Sequence, residues 1–96
     1  MPANQVGREA VTVSTTAIGL TVPASAKHAI IQVSTSPIRW CASEAPTSTT
    51  GIYISAGGTI EFMEVSDTYS GILRNIQFIR DTSAGADATI EVAYFD

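Results

Sequence analysis

Ninety-six residues with a net charge of −4 allow one domain and one core, which buries roughly two-thirds of the surface the unfolded chain exposes. Five scattered basic residues exclude the clustered positive face that nucleic acid requires, and a single Cys excludes an internal disulfide. Charged residues make up 15%, against about 25% in an average domain, so ten Ser and twelve Thr supply most of the polar covering.

The start, MPANQVGREA, has no apolar signal core, and no run reaches membrane-spanning length. Synthesis in a cytoplasm and no membrane contact are the expectation. Residues 1–8 read as a polar N-terminal arm lying against a neighbour, and residues 9–96 as a single β domain. Residues 9–15 alternate around Val11 and Val13, which predicts a strand. Residues 17–22 predict a second, with Ile18, Leu20 and Val22 on one face and Gly19 permitting a bend. Residues 23–27 (PASAK) are a loop, with His28 at its end.

The stretch from Ala29 to Ile60 organises the rest. Ile31 and Val33 share one face of a strand; Ile38, Trp40 and Ala42 share a face of the next, with Arg39, Cys41 and Ser43 opposite. Ser34, Thr35, Ser36 and Pro37 between them predict a hairpin or a sharp corner. Ile52 and Ile54 alternate with Tyr53 and Ser55. Gly57 and Gly58 then predict a hairpin into a strand at residues 59–62, because Gly supplies the positive φ such turns need. Residues 63–71 read as an irregular crossover or one helical turn. Residues 72–80 predict a strand with Ile76 and Phe78 on one face and Gln77 and Ile79 on the other. Residues 81–87 (DTSAGAD) form a turn, and residues 88–95 close as a strand with Ile90, Val92 and Tyr94 inward. No segment recurs at the helical period. The fold class expected is all-β: one small β-sandwich or jelly-roll-like barrel of about six to eight short antiparallel strands, the first beside the last.

Catalytic chemistry is hard to assemble from these residues. A Cys41/His28 dyad across a hairpin is conceivable, but a strand Cys and a loop-edge His are the favoured reading, since a thiolate needs a polarised site. Glu61, Glu64 and Asp67 match no Ca²⁺ loop, and zinc ligands are too few. No catalytic, metal or cofactor residue is assigned, and the chain reads as a non-enzyme. Trp40 is expected in the core; its alternative is a sugar-stacking platform extended by Tyr53 and Tyr69. Partner contacts are expected from the arm, through Pro2, Asn4, Gln5 and Arg8. The hydroxyl-rich loop 44–51 and the strand after it add Pro46, Thr47, Thr49, Thr50 and Tyr53, because loops on a β scaffold commonly carry recognition.

The run AIIQVSTSPIRWCASEAPTSTTGIYISAGGTIEF, with LRNIQFIRD and ATIEVAYF after it, resembles small virion proteins of tailed bacteriophages. Those share an apolar strand, an "IRW"-like strand, a "PT…TG" loop and an "aGgtiEf"-like segment. The resemblance runs from Ala29 onward, about two-thirds of the chain. It departs at Cys41, where the family often has a polar or charged residue. What it implies is a structural virion protein, a capsid decoration or cement protein at the capsid surface. Its partners would be the major capsid protein or other virion proteins, with self-association. A neck or tail component, or a glycan- or host-surface-binding module, is the alternative.

Overall fold

The computed structural model describes residues 4–42, 44–63 and 75–96. Eight strands follow in order: β1 (Gln5–Val13), β2 (Ile18–Gly19), β3 (His28–Ser34), β4 (Ile38–Cys41), β5 (Ile52–Ile54), β6 (Thr59–Met63), β7 (Gln77–Arg80) and β8 (Ala88–Phe95). They form two four-stranded antiparallel sheets, with orders β1-β8-β3-β6 and β2-β7-β4-β5. The described residues build an all-β fold, a small sandwich.

Its winding follows one rule. β1 pairs with β8, β2 with β7, β3 with β6 and β4 with β5, as in one long antiparallel ribbon with its tip at β4–β5. The ribbon is rolled so that β3 also meets β8 and β4 also meets β7. Of the connections between these strands only β4–β5 stays within a sheet. That is the jelly-roll form of a β-sandwich.

Period-2 alternation explains the core. Along β3, Ala29, Ile31 and Val33 are fully buried while Ile30, Gln32 and Ser34 face out. Along β8, Ala88, Ile90, Val92 and Tyr94 point the same way. The second sheet answers with Ile38, Phe78 and the preceding Ile76, all at 0% exposure. Burial of each large apolar side chain contributes about 1.5–3 kcal/mol relative to leaving it in water. Ile60, Phe62, Ile54 and Trp40 extend the core, partly buried, towards the β5 and β6 edges.

Several expectations need correction. The strand at the start takes in Gln5 to Arg8, expected as arm, because β8 is long enough to pair with them: Gln5 sits opposite Phe95 and Arg8 opposite Ala93. The segment at residues 17–22 yields only Ile18 and Gly19 as strand, and Ile18 is exposed while Leu20 and Val22 pack on the core. The 34–37 connection is the corner, not the hairpin, since β3 and β4 lie in opposite sheets. Its Thr35 takes a positive φ of 79°.

The Gly57–Gly58 hairpin is also overturned. Gly57 does adopt a positive φ of 89°, and the Gly58 N–H donates to the Ser55 carbonyl at 2.9 Å, as a tight turn demands. The strands it joins, however, belong to different sheets. Gly57 and Gly58 instead bond Val33, extending the β3–β6 ladder by one step. The crossover expected at residues 63–71 lies outside the described residues beyond Met63.

Candidate contact surface

The described part of the connection between β4 and β5, residues 44–51, is ordered by its own side chains. Thr47 and Thr50 exchange both backbone hydrogen bonds, at 3.1 and 3.2 Å. The Thr47 hydroxyl accepts from the N–H groups of Thr50 (3.0 Å) and Thr49 (3.4 Å) and pairs with the Thr50 hydroxyl at 2.6 Å. Short hydroxyl side chains bond locally in this way and stabilise turns. Below the turn, Pro46 is buried. Gly51 has a φ of 118°, and a Cβ there would lie 3.2 Å from Pro46 Cβ and 3.3 Å from Cys41 Sγ. The Thr82 N–H donates to the Ser48 carbonyl at 2.9 Å, so the loop folds back and reaches the 81–87 turn.

Under the loop lies a charged cluster on the outer face of the second sheet. Arg39 Nε donates to Asp81 Oδ1 at 2.5 Å and Nη1 to the Gly51 carbonyl at 3.0 Å, while its guanidinium stands 5.6 Å from the Tyr53 ring centre. Asp81 is only 4% exposed. The Ser83 hydroxyl first, then the Ser83 N–H, and after them Arg39, pull its carboxyl down to about 2, against the opposing effect of burial. The other carboxylate oxygen accepts those Ser83 bonds at 2.6 and 2.9 Å. A bond network of this kind fixes the loop to β4 and to the 81–87 turn.

On the opposite side of the molecule, the outer face of the first sheet carries Arg8, Glu91 and Glu61 among small and uncharged side chains. Registers set out its cross-strand rows: Arg8, Ala93, Ile30 and Glu61; then Ala10, Glu91, Gln32 and Thr59; then Thr12, Thr89 and Ser34. Arg8 Nη2 reaches Glu91 Oε2 at 2.7 Å, and the two side chains are 66% and 46% exposed. An ion pair so exposed contributes little to stability but cancels the charge locally. Ile30 stands among these residues at 37% exposure.

The expected contact residues therefore fall into two groups on different sheets. Thr47, Thr49 and Thr50 share one exposed turn, and Tyr53, 47% exposed, borders it. Asn4, just before β1, and Gln5 and Arg8 within it are exposed. Pro46 is buried and anchors the loop instead of meeting a partner, because Gly51 packs on it; Pro2 lies outside the described residues. The loop's exposure was legible from its hydroxyl content. The Arg39–Asp81 pairing was not, since 42 positions separate the two.

Cys41 sits in the second sheet and His28 in the first, so no shared strand pair brings them together. Among the described residues no group of His, Cys, Asp and Glu could hold a metal; Glu64, Asp67 and Tyr69 lie outside them. Trp40 turns inward, edge-on to Phe62 of the other sheet with centroids 5.3 Å apart. Its Nε1–H is buried and meets no acceptor among the described residues. Compared with protein-family models, with curated proteins and with solved structures, the chain matches none.

Proposed function

We propose that this protein is a structural component of a tailed-bacteriophage virion: a decoration protein at the capsid surface that binds the major capsid protein and stabilises the coat lattice. The observation that carries the reading is the outer face of the first sheet. It presents Thr12, Ala10, Thr89, Ala93, Gln32, Ile30 and Thr59; its Arg8 and Glu91 neutralise one another, which leaves Glu61, on the β6 edge, as the one uncompensated charge in these rows. Hydroxyls and small side chains cost less to desolvate than charges, so such a face suits a broad protein contact. The resemblance from Ala29 onward supports the same reading. So does the jelly-roll topology, which recurs in viral capsid domains, though that is an analogy of fold alone. A glycan-binding role has less to stand on, because Trp40 packs inward and, among the described residues of the expected platform, leaves Tyr53 as the exposed ring.

The protein acts in this reading as a fitted surface and carries out no reaction. Attachment comes from apolar and backbone contacts repeated over many copies. With few charges involved, it should depend only weakly on ionic strength. The experiment mixes purified protein with undecorated shells of its virus and measures co-sedimentation from low to high salt. Gln32→Lys, on the first sheet's face, should abolish it, and Tyr53→Lys, on the second sheet's, should not. Failure of the unaltered protein to co-sediment ends the decoration role.

A further inference from the structure

The four sheet edges are unequal. β2, β5 and β6 offer two, three and five residues, whereas β1 runs for nine. A long edge strand is a template for another chain, and proteins usually blunt one with Lys, Pro or a bulge. β1 contains neither Lys nor Pro, and its one irregularity lies between Gln5 and Gly7, at the end. Among the described residues, no backbone bond from outside β8 reaches it. Its inward charge, Glu9, is already occupied by the Tyr94 hydroxyl and by the Thr21 N–H at 2.9 Å. Among the described residues the hydrogen-bonding side of the edge is therefore open, while Pro23 lies against its inner face at Gly7.

From the length and side-chain pattern of this edge we propose that β1 pairs antiparallel with β1 of a second copy, across a two-fold axis at Ala10, forming a dimer with one continuous eight-stranded sheet. The register is selected by charge. A two-fold through Arg8 or through Glu9 sets identical charges opposite each other, which is unfavourable. A two-fold through Val11 or Thr12 shortens the overlap within β1. Centred on Ala10, the overlap runs from Gly7 to Val13 and leaves the irregular end outside. The smallest side chains then meet at the axis, Arg8 faces Thr12 of the second copy, and Glu9 faces Val11. Outward residues meet outward residues, as the pleat requires. The contact is isologous and closes on itself, so it gives a dimer and not a fibre. Nothing in it depends on the virion reading.

The test exploits the Arg8–Thr12 juxtaposition. Thr12 is exposed and stands opposite the neutral Thr89 within its own sheet, with Glu91, already paired to Arg8, on the diagonal; that contact is the same in monomer and dimer, so the effect on the association constant reports on the second copy. Sedimentation equilibrium over a concentration series should give twice the chain mass for the unaltered protein. Thr12→Lys, now facing Arg8 twice, should weaken the dimer by roughly 2- to 30-fold, and Thr12→Glu should tighten it by a similar factor. High salt should reduce both effects. Hydrogen exchange on the unaltered protein provides an independent reading: β1 amides should gain protection as concentration rises. A chain that stays monomeric, or a dimer in which Lys and Glu at position 12 act alike or in reverse, overturns the proposal.

Discussion

Three donors converge on Asp81: Arg39 Nε on one carboxylate oxygen, the Ser83 N–H and hydroxyl on the other. An unfolded Asp takes up its proton near pH 4, whereas in the fold Asp81 does so only at about 2. Between those values the unfolded chain binds more protons, so stability rises with pH. The contribution is complete above about pH 4 and is lost as pH falls through about 2. Asp81→Asn should lessen the rise of urea-unfolding stability across that window, leaving the part due to Asp87, whose carboxyl Arg80 and then Ser14 also hold below its ordinary value; parallel curves for the two proteins would show that the three donors do not favour the charged form. Tyr94 shifts the other way. Burial first, then the bond to Glu9 and its charge, push the phenol well above its ordinary value. An unfolded Tyr ionises near pH 10, so this contribution is whole below that pH and declines above it. Tyr94→Phe should cost about 1 kcal/mol at neutral pH and remove part of the alkaline loss, read by denaturant unfolding at pH 7 and 10. At Trp40 the indole N–H is buried without an acceptor among the described residues. Trp40→Phe should therefore cost well under the roughly 3–5 kcal/mol of a full truncation to Ala. Equal losses in the two variants would mean that the N–H is in fact satisfied.

The β5–β6 turn separates two kinds of glycine requirement. A Cβ at Gly57 would meet nothing within 4 Å, yet φ there is 89°. A Cβ at Gly58 would lie 2.7 Å from Ile54 Cγ2 and 3.0 Å from the Ser55 carbonyl oxygen. Gly57→Ala should cost about 1–2 kcal/mol, the strain of a left-handed residue. Gly58→Ala should cost more, because backbone and a packed side chain must both move. Thermal unfolding of the two variants should rank them in that order. The turn also marks what the sequence could disclose about the elements. Positive φ and turn chemistry are local, and Gly57 announced both. The destination of the strand beyond it is not local: whether Thr59 pairs with β5 or with β3 depends on how the whole ribbon rolls. The same holds at residues 34–37, where Ser, Thr and Pro signal a change of direction but not a change of sheet. Alternation made β3, β4 and β8 readable, down to Ile31, Ile38 and Tyr94 as core. Two-residue β2 was not, because Ile18 is exposed and carries no inward pattern. At the contact surface, the exposed threonines were readable from composition, while Pro46 reads as solvated until Gly51 is seen packed on it.

At the scale of the whole molecule, the controlling fact is that the first strand pairs with the last. Gln5 faces Phe95, the Asn4 N–H donates to Asp96 Oδ1 at 3.0 Å, and the Asp96 N–H returns to the Asn4 carbonyl at 3.0 Å. β8 is also the inner partner of β3, so the first sheet cannot close until the far end of the chain arrives. Pairings of such long sequence separation place a β-sandwich among slow folders, with times of roughly milliseconds to seconds. The proximity of Asn4 and Asp96 allows that separation to be changed without touching the core. A short Gly/Ser linker from Asp96 to Asn4, with the chain opened beside Gly85, would turn β8 and β1 into neighbours in sequence. Gly85 suits the opening because a Cβ there meets nothing within 4 Å and the residue is exposed. The rearranged chain keeps every strand pairing but makes β1–β8 a local hairpin and shortens the separation of β3 from β8. Loop closure is entropically cheaper over fewer residues, so the rearranged protein should fold faster, by several-fold to roughly tenfold, while its unfolding rate changes little. Stopped-flow refolding followed by Trp40 fluorescence measures both rates, since Trp40 is the only Trp and lies between the sheets. An unchanged folding rate with an altered unfolding rate would place β1–β8 pairing after the rate-limiting step, and nucleation would then belong to the β4–β5 tip.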